Sequence, residues 1–467
     1  MSSKIPLIIP VENQVRELDP KVLLACIAAR HGFTSVIGSH RIIDFHIASL
    51  PKSIYLCKSF TVMNLKMFKI MHALGHRIVS WDEEALVHLP PAMYYSRRLS
   101  PLSLQYVSHL FAWGEDNREL WLNYPEMPKD MPIHVTGNPR GDLLRPEMHR
   151  FYEDKADEIK KSFGKFILVN TNFNHVNAFF PKQNLFRPVK KPGEQPEFGK
   201  AAKGMSREFA QALRDYKQTV FEEFQRLIPR LDNEFPDFNI VVRPHPTENQ
   251  TVYHKIASEC RRVKVTNEGN IVPWLMAAKA LVHNGCTTGV EAYAMRVPAI
   301  SYRVVLNEEI DNGFYFLPHQ LSHQCFSFQE LSDTLHRILE GKLGAAEGEE
   351  RATLFRHYVA AQDGLLACER IIGVVEDITS DIKALPRPGL KNQFSGQLAS
   401  NTRRVVKWLK SYFPGSHAPP EFHQHRYPGV TEDELRFLIT RFQDVIGDHT
   451  KIRTEKIFDQ VFRISPI

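Results

Sequence analysis

The sequence contains no apolar run long enough to cross a membrane, and its N-terminus lacks the charged-then-apolar pattern of a signal peptide. Its six cysteines are scattered, without the paired spacing of a metal site or the density of a disulfide scaffold. Beyond the similarity of its two halves, the chain has no internal repeat and no low-complexity tract. We therefore expect a cytoplasmic protein with reduced cysteines.

A strong excess of charge is also missing. The net charge is +6 in 467 residues, with 24% charged and 43% hydrophobic residues, which is an ordinary composition for a globular protein. Nucleic-acid binding usually needs a clustered basic face, so we expect no nucleic-acid partner. The mild positive charge fits an anionic substrate or a membrane surface better. Because the chain is too long for one hydrophobic core, we expect two domains and some extra chain.

Short apolar segments alternate with helical segments in both halves of the chain, as in a parallel doubly wound sheet. In the first half Asp19 is predicted to cap a helix over residues 20–30, and a helix over residues 358–378 closes the second half. We predict an α/β fold of two Rossmann-like domains that face a cleft, followed by a mainly helical C-terminal tail. The predicted boundaries are 1–150 for the first domain, 151–380 for the second and 381–467 for an extension of uncertain role.

Two stretches of the second half carry the clearest chemical pattern. Residues 241–248 read Val-Val-Arg-Pro-His-Pro-Thr-Glu, and residues 283–291 read His-Asn-Gly-Cys-Thr-Thr-Gly-Val-Glu. Strands are predicted at 238–242 and 280–283, and a helix at 287–295, so both stretches follow the carboxyl end of a strand. Ligands of open α/β sheets bind at such ends, and a helix N-terminus attracts anions. We predict a nucleotide-phosphate site, although each stretch alone also fits a stiff surface loop or a capped strand–helix turn.

Acidic side chains follow two strands of the first half. Asp82, Glu83 and Glu84 come directly after a predicted strand at residues 77–80, and like-charge repulsion makes three adjacent carboxylates costly unless something uses them. Helix capping is the alternative explanation. The first strand is followed in the same way by Glu12, Arg16 and Glu17, which fit either a substrate contact or a solvated loop.

Taken in order, these motifs resemble a GT-B glycosyltransferase, and more narrowly the bacterial surface-carbohydrate biosynthesis proteins. The resemblance covers roughly residues 4–378. The His-Pro pair is also similar to the motif by which sialyl- and Kdo-transferases hold a CMP-sugar, and to the Arg-x-His-Pro of polyol-phosphate transferases of the teichoic-acid type. The matching pieces are Pro10-Val11-Glu12, Arg16-Glu17-Leu18-Asp19, Trp81-Asp82-Glu83-Glu84, Thr136-Gly137-Asn138-Pro139-Arg140-Gly141-Asp142, Arg243-Pro244-His245-Pro246, the stretch from Asn284 to Ala292, Asp363-Gly364 and Glu369-Arg370-Ile371.

The resemblance implies a role for each matching residue. His245 and Pro246 would contact the donor phosphate, and Arg243 would balance its charge. Thr287 and Thr288, with the amides after Gly285, would bind phosphate oxygens, and Glu291 would hold the ribose hydroxyls. The implied nucleotide-sugar site is Arg243, His245, Pro246, Asn284, Gly285, Thr287, Thr288 and Glu291, and the implied acceptor side is Glu12, Arg16, Glu17, Asn138, Arg140 and Asn172.

The implied chemistry is sugar transfer. One of Asp82, Glu83 and Glu84, facing the nucleotide across the cleft, would act as the catalytic base, or as a nucleophile if configuration is retained. His245, Arg243 and the helix dipole would meet the charge on the leaving phosphate. No Asp-x-Asp motif stands at a strand end, so we expect no essential metal and no cofactor besides the donor substrate.

The function that follows is a cytoplasmic glycosyltransferase of surface polysaccharide biosynthesis. The preferred donor is a CMP-sugar carrying Kdo or a related acidic sugar, and the acceptor is a glycan or glycolipid. A UDP-sugar 2-epimerase-like enzyme, a polyol-phosphate transferase and a non-catalytic polysaccharide-assembly partner are the alternatives. The basic amphipathic segment 401–412 fits peripheral contact with the inner membrane, or packing on its own domain.

Overall fold

The structure is a computed structural model that describes residues 4–189, 193–380, 388–413, 416 and 419–467. The chain divides into two compact units. The first takes its residues from 1–86, 98–151 and 356–467, and the second takes 87–97 and 152–355. The chain therefore returns to the first unit at Arg356, inside the range that the sequence assigns to the second domain. Residues 381–387 of the predicted extension lie outside the described residues.

The strands form where short apolar, often β-branched runs stand between turn residues. The strands predicted at 77–80 and 280–283 have those bounds, the strand predicted at 238–242 lies one residue later, and the C-terminal pair was not predicted. In chain order the strands are β1 (Leu7–Val11), β2 (Ser35–Ser39), β3 (Ile54–Cys57), β4 (Arg77–Ser80), β5 (Val107–Ala112), β6 (Ile133–Val135), β7 (Phe166–Asn170), β8 (Asn239–Arg243), β9 (Val263–Val265), β10 (Ala280–His283), β11 (Ala299–Tyr302), β12 (His323–Cys325), β13 (Ile452–Phe458) and β14 (Val461–Pro466).

Helices follow nearly every parallel strand and return the chain to the start of the next one. The helices are α1 (Gln14–Arg30), α2 (His40–His46), α3 (Leu65–Leu74), α4 (Pro91–Arg98), α5 (Pro101–Leu104), α6 (Glu115–Leu122), α7 (Pro139–Asp142), α8 (Glu153–Phe163), α9 (Arg207–Glu234), α10 (Thr251–Glu259), α11 (Ile271–Ala277), α12 (Thr287–Ala294), α13 (Glu308–Phe314), α14 (Phe316–Gln320), α15 (Phe328–Leu339), α16 (Glu349–Tyr358), α17 (Ala367–Ser380), α18 (Leu390–Ser411), α19 (Pro420–Arg426) and α20 (Glu432–Ile446). No helix within the described ranges is long and apolar enough to span a membrane.

The sheet of the first unit has the strand order β13-β14-β2-β1-β3-β4-β5-β6. From β2 to β6 all neighbours are parallel, and the strand order reverses between β1 and β3. Ligands of doubly wound sheets bind outside the carboxyl ends at such a reversal. At the other edge β14 pairs antiparallel with β2, so the C-terminal hairpin covers the side of β2 that β1 leaves open.

The sheet of the second unit is parallel throughout, in the order β12-β11-β10-β7-β8-β9. Its order reverses between the central strands β7 and β10. Alternate residues of β7 enter two different cores, with Ile167 and Val169 on one face and Phe166 and Leu168 on the other. Both faces are thus covered, as in a Rossmann-like domain. The predicted fold class, two Rossmann-like α/β units, is confirmed.

Two predicted helices differ from those observed. The predicted cap at Asp19 is wrong, because α1 begins at Gln14 and contains Pro20. The carboxylate of Glu17 accepts the amides of Glu12 and Asn13 and so satisfies donors at the start of an earlier first turn. The predicted helix over 358–378 is interrupted, since α16 ends at Tyr358 and α17 begins at Ala367.

Gly38 allows the C-terminal hairpin to pair with β2. Its φ is +147°, and an added Cβ would overlap the carbonyl oxygen of Gln460 in the turn between β13 and β14. We expect Gly38→Ala to lower the free energy of unfolding by about 2 kcal/mol or more, because the hairpin must shift away from β2. Denaturant unfolding measures the change. The control Gly373→Ala, where a Cβ meets nothing within 4 Å inside α17, should be neutral or stabilising. Equal losses in both variants would contradict this account.

Candidate functional site

The carboxyl ends of three adjacent strands of the second sheet stand level with each other. Asn170 at the end of β7 is in register with His283 of β10 on one side and with Arg243 of β8 on the other. The Asn170 Nδ2 donates to Thr288 Oγ1 at 3.1 Å, which joins β7 to the start of α12. The two predicted stretches are therefore connected through β7, at the reversal of strand order.

Two amide oxygens at this edge have no donor. Asn170 Oδ1 and Asn284 Oδ1 are buried and accept no hydrogen bond from any residue that the structure describes, and both side chains are only 7% exposed. A buried acceptor without a partner costs about 1–3 kcal/mol. Buried acceptors at a strand-order reversal fit a ligand that carries hydroxyl or amino donors.

The turn after β10 needs glycine. Gly285 has φ +88°, and an added Cβ would lie 2.9 Å from atoms of Tyr315 and His319. The Gly285 amide donates to His283 Nδ1 at 3.0 Å, and burial lowers the pKa of His283 to about 3, so that this ring stays neutral. The amides of Thr287 and Thr288 stand in the first turn of α12, where a helix has no acceptors for its own N–H groups.

His245 is oriented by the loop that follows β8. Its Nδ1 accepts the main-chain amide of Thr247 at 3.2 Å and lies 2.9 Å from the Thr247 hydroxyl. An amide can only donate, so the neutral ring must carry its hydrogen on Nε2. The side chain is partly exposed. His245 therefore presents an N–H donor, as a phosphate contact requires.

Glu248, the last residue of the first stretch, fixes this loop. Its carboxylate is 0% exposed and accepts the Phe173 amide at 2.9 Å, the His245 amide at 3.1 Å and the Thr171 hydroxyl at 3.0 Å. The Tyr253 hydroxyl donates to its other oxygen at 2.6 Å. Glu248 thus ties the loop after β7 to the loop that carries His245, and sequence reasoning assigned it no role.

The guanidinium of Arg243 makes hydrogen bonds within the second unit. It donates to the carbonyl oxygens of Glu268 and Gly269, at 2.8 and 3.0 Å, and lies 4.6 Å from the ring centre of Trp274. Burial lowers its pKa to about 9, so it stays charged at neutral pH. The contacts hold the loop after β9, and they differ from the phosphate contact that the resemblance implies.

Lys217 is a buried cation that sequence reasoning missed. It lies 1% exposed on α9, donates to the carbonyl oxygen of Asn172 at 3.0 Å, and sits 4.5 Å from the ring centre of Tyr315. Burial lowers its pKa to about 7, against the attraction of Glu248. The signal was a lysine among the apolar positions that face the core in a long amphipathic helix.

Other basic side chains lie around the loop after β7. Burial lowers the pKa of His175 well below its usual range, and the charges of Lys217, Arg97 and His245 lower it further, so the His175 ring is neutral. These four side chains come from separate segments of the second unit. The positive potential that favours an anion at this edge of the second sheet therefore comes from Arg97 and Lys217.

The corresponding edge of the first sheet holds an ion network. Lys58, after β3, contacts Glu12 at 2.8 Å and Glu17 at 2.7 Å, and Lys21 contacts Glu17 at 2.7 Å. Arg426 of the C-terminal segment also pairs with Glu12. Burial alone would raise the pKa of Glu12 and of Glu17, but these cations lower both well below the ordinary value. The two carboxylates are therefore charged, and each forms ion pairs with two basic side chains.

The acidic group after β4 is paired in the same way. Asp82 is 2% exposed and both its oxygens contact Arg98. Glu83 accepts the Trp81 indole N–H at 2.6 Å and lies 3.8 Å from Arg140.

Glu84 differs from both neighbours. Its side chain is 51% exposed and lies 3.6 Å from Arg16. Desolvation alone would raise its pKa, but the attraction of Arg16 and Arg98 lowers the pKa to about 2. Glu84 is thus the member of the acidic group with an accessible oxygen.

The stretch after β6 connects the same edge to α17. Asn138 Oδ1 accepts the Arg140 amide at 3.0 Å, while its buried Nδ2 has no acceptor among the described residues. Asp142 accepts the amides of Ala367 and Cys368 at 2.7 and 2.9 Å and so caps α17. Asp142 therefore has a structural part in the motif to which it belongs.

The predicted residues form one set in each unit. No group of three histidine, cysteine, aspartate or glutamate side chains in the described ranges is arranged to hold a metal ion. The set of the second unit is Asn172, Arg243, His245, Pro246, Asn284, Gly285, Thr287, Thr288 and Glu291, and the set of the first is Glu12, Arg16, Glu17, Asp82, Glu83, Glu84, Asn138 and Arg140.

No protein-family profile and no curated protein matches the chain. Among solved structures, the chain is similar to one of the wall teichoic acid polymerase TagF, at 10% sequence identity and a TM-score of 0.51. That match covers 82% of this chain and 90% of the other. A UDP-GlcNAc 2-epimerase from Methanocaldococcus jannaschii, in complex with UDP-GlcNAc and UDP, is 12% identical over 80% of this chain and 99% of its own, with a TM-score of 0.45. The polymerase match establishes a shared fold, of the GT-B type.

Lys217 predicts a pH dependence of stability. Because its pKa is lower in the folded protein than in the unfolded chain, the unfolded chain binds the proton more tightly between about pH 7 and pH 10. The contribution of this residue to stability must therefore rise with pH across that window. We expect wild-type protein to gain unfolding free energy between pH 7 and pH 9 relative to Lys217→Met, measured by denaturant unfolding. The control Lys255→Met, at an exposed position, should keep the wild-type slope. An equal slope in Lys217→Met would refute the assignment.

Proposed function

We propose that this protein is a glycosyltransferase that moves a sugar from a nucleotide-linked donor onto a surface glycan or glycolipid. The observation that carries the proposal is the edge of the second sheet at its strand-order reversal. There an oriented imidazole donor, the first turn of α12 and two unpartnered amide oxygens occur on adjacent strand ends. This combination suits a ligand with both phosphate oxygens and hydroxyl or amino groups.

The shared fold supports a transferase of surface polymers. The wall teichoic acid polymerase TagF has the same fold, and a second structure of it was obtained after a soak with CDPG, at a TM-score of 0.50. A nucleotide-linked donor and a polymeric surface acceptor are therefore the first substrates to consider for this chain. The CMP-sugar preference, with Kdo or a related acidic sugar, follows from the likeness of the His-Pro pair to sialyl- and Kdo-transferases.

The proposed mechanism assigns the leaving group to the second unit. When the bond to the transferred group breaks, negative charge grows on the phosphate of the departing nucleotide. The His245 Nε2–H would donate to one oxygen of that phosphate, and the main-chain amides of Thr287 and Thr288 would donate to a second oxygen. Lys217 and Arg97 would add positive potential. Such fixed donors stabilise charge in the transition state more than water does, because they need no reorganisation.

The two orphaned amide oxygens would select the nucleoside. Asn170 Oδ1 and Asn284 Oδ1 need donors, and ribose hydroxyls or the amino group of a base supply them. Glu291, buried one turn into α12, belongs to the same end of the helix. A phosphate without a nucleoside would leave both amide oxygens unsatisfied, so we expect inorganic phosphate to bind more weakly than a nucleotide.

Glu84 is our choice for the catalytic base among the three carboxylates. Asp82 and Glu83 are buried and engaged with Arg98 and with Trp81, whereas Glu84 has an accessible oxygen. Its pKa of about 2 keeps it ionised at every physiological pH but also makes it a weak base, so it would take the proton of the acceptor hydroxyl only as the new bond to the acceptor forms. We therefore propose that Asp82 and Glu83 position the loop after β4, and that Glu84 contacts the acceptor.

Polyol-phosphate transfer is the second candidate, favoured by the fold shared with a wall teichoic acid polymerase. A CMP-sugar and a CDP-polyol both release CMP, so the released nucleotide does not separate the two reactions. The product does, since sugar transfer leaves no new phosphorus in the acceptor and polyol-phosphate transfer adds one phosphodiester per unit. Phosphorus analysis of the product distinguishes them.

His245 provides the main test. We expect His245→Ala to lower turnover of the accepted donor at least about 100-fold, because one donor to the leaving phosphate is lost. Turnover is measured as nucleotide release from CMP-, CDP-, UDP- and GDP-linked donors. The matched control is His254→Ala, which changes an exposed histidine on α10 and should leave turnover unchanged.

A thermal-shift screen of CMP, CDP, UDP and GDP identifies the nucleotide before any donor is available. A ligand that binds only the folded protein, at a hundredfold excess over its dissociation constant, adds about 2.7 kcal/mol of stability. In His245→Ala, the increase in melting temperature on adding the nucleotide should be smaller or absent. Wild-type turnover in His245→Ala would remove the central claim of this proposal.

The acidic group gives a separate prediction with two readouts. We expect Glu84→Gln to lower the rate of transfer at least about 100-fold, because an amide cannot accept the proton of the acceptor hydroxyl. The unfolding free energy should stay constant, because the side chain is exposed. Asp82→Asn should instead lower the unfolding free energy by about 2 kcal/mol, because Arg98 loses its carboxylate partner. Glu119→Gln, exposed on α6, is the control for both measurements. Full transfer activity in Glu84→Gln would show that the base lies elsewhere.

A further inference from the structure

The helix α18 has an apolar face that no described part of the chain covers. Seven large apolar side chains, the last of them at the C-cap, fall in a sector of about 100° when successive residues are placed around a helix, and Val406 lies outside it. The seven form one stripe along the whole length of α18. Exposures in this set range from 49% to 85%. We call these residues the apolar stripe: Leu390, Phe394, Leu398, Val405, Trp408, Leu409 and Tyr412.

The opposite face of α18 packs on the first unit. Gly396 and Ser400 are buried, and a Cβ at Gly396 would lie 3.1 Å from Ala73 at the end of α3. Arg403 pairs with Asp44 at 3.1 Å. The helix is thus docked through small and polar residues while its apolar side faces solvent, which is the reverse of an ordinary surface helix.

The charged side chains of α18 itself are all positive. The helix contains no aspartate or glutamate, and its basic residues are Lys391, Arg403, Arg404, Lys407 and Lys410. Arg41 and Lys66 of neighbouring elements act on Lys407 by charge repulsion. Arg41 also donates to the Ser411 hydroxyl at 3.4 Å, so it lies at the C-terminal end of α18.

More apolar side chains are exposed near the same end. Lys407 is close to Lys66, at the start of α3, whereas Gly396 meets its end, so α18 runs antiparallel to α3. Val62 and Met63, just before α3, are 52% and 72% exposed. Trp408, Tyr412 and these two residues therefore lie towards the same end of the helix pair.

We propose that α18 lies on an anionic lipid surface, with the apolar stripe inserted between acyl chains and the exposed Lys391, Lys407 and Lys410 at the level of the headgroups. A helix with an apolar face rich in aromatic residues and leucine, bordered by lysine and arginine and free of acids, is the pattern of interfacial membrane helices. Anionic headgroups complement the basic residues of α18. The apolar stripe is about 30 Å long and would contact the hydrocarbon region along the membrane surface. The inference extends the membrane contact predicted for residues 401–412 to the whole helix, and it does not depend on the transferase activity.

Trp408 makes the test direct. All five tryptophans of the sequence lie in the described ranges, and Trp81, Trp113, Trp121 and Trp274 are at most 4% exposed, against 51% for Trp408. A blue shift of tryptophan fluorescence on adding vesicles therefore reports on α18. We expect the shift with phosphatidylglycerol–phosphatidylcholine vesicles and not with pure phosphatidylcholine. Trp408→Phe should bind the same vesicles without the shift.

Binding itself is measured by flotation of the full chain with these vesicles. We expect the double variant Leu398→Gln, Leu409→Gln to bind at least about tenfold more weakly, because two apolar insertions are lost. The matched control is Leu122→Gln, which changes a leucine 52% exposed on α6 and should bind like wild type. Salt at about 1 M should weaken wild-type binding by screening the headgroup charges.

Three results would overturn the proposal. One is wild-type protein that never floats with anionic vesicles. Another is an equal loss of binding in Leu122→Gln and in the stripe variant. The third is a wild-type dimer, seen by light scattering, that the stripe variant dissociates without any lipid binding, since a second copy would then cover the stripe.

Discussion

The edge of the second sheet depends on one buried carboxylate. Glu248 has no contact with solvent, and an ionised group in that position is stable only when donors surround it. The donors come from both sides, with Thr171 and Phe173 after β7 and with His245 and Tyr253 after β8. The main-chain amide of His245 is one of these donors. The hydrogen bond that it makes to Glu248 therefore fixes the backbone from which the imidazole extends. The orientation of the candidate phosphate donor is therefore a consequence of burial in the core.

The two sheets use charge differently at equivalent positions. In the first unit, carboxylates and cations lie together at the reversal of strand order, where Lys21, Lys58 and Arg426 compensate the charges of Glu12 and Glu17. In the second unit Lys217 and Arg97 lie near the loop after β7, and the amide oxygens of Asn170 and Asn284 accept no hydrogen bond from the described residues. Positive potential from these cations favours a bound anion there. The same topology thus yields a self-compensated edge in one unit and an anion-attracting edge in the other.

How far the sequence predicts the structure depends on whether a feature is local. Strands β4 and β10 are short runs that follow turn residues or helix ends, and both are predicted to the residue. The start of α1 is not, because it depends on the carboxylate of Glu17 accepting amides of preceding residues and on the cations that hold Glu17 in place. The burial of Lys217 is not local either, since it follows from the packing of α9. The sequence indicates it only through the position of this lysine among the apolar residues of the helix. Strand β14 needs β2 as a partner, which its own alternating pattern does not identify. Motifs at strand ends predict which residues meet, but not which of them the protein uses for its own stability, as Arg243 illustrates.

The C-terminal segment contributes to the first unit at several points, and these points constrain each other. The hairpin of β13 and β14 pairs with β2, while the side chain of Gln14 in α1 exchanges two hydrogen bonds with the backbone of Gly429. The contact at Gly429 also anchors the residues just before it near the end of β1, where Arg426 pairs with Glu12. Glu12 already shares Lys58 with Glu17, and Arg426 adds a second cation that offsets the repulsion between the two carboxylates. The segment therefore covers an open sheet edge and completes the charge balance at the end of β1. Its helix α18 is docked to the same unit by its small and polar face, so anchoring this segment also determines which face of α18 points outward.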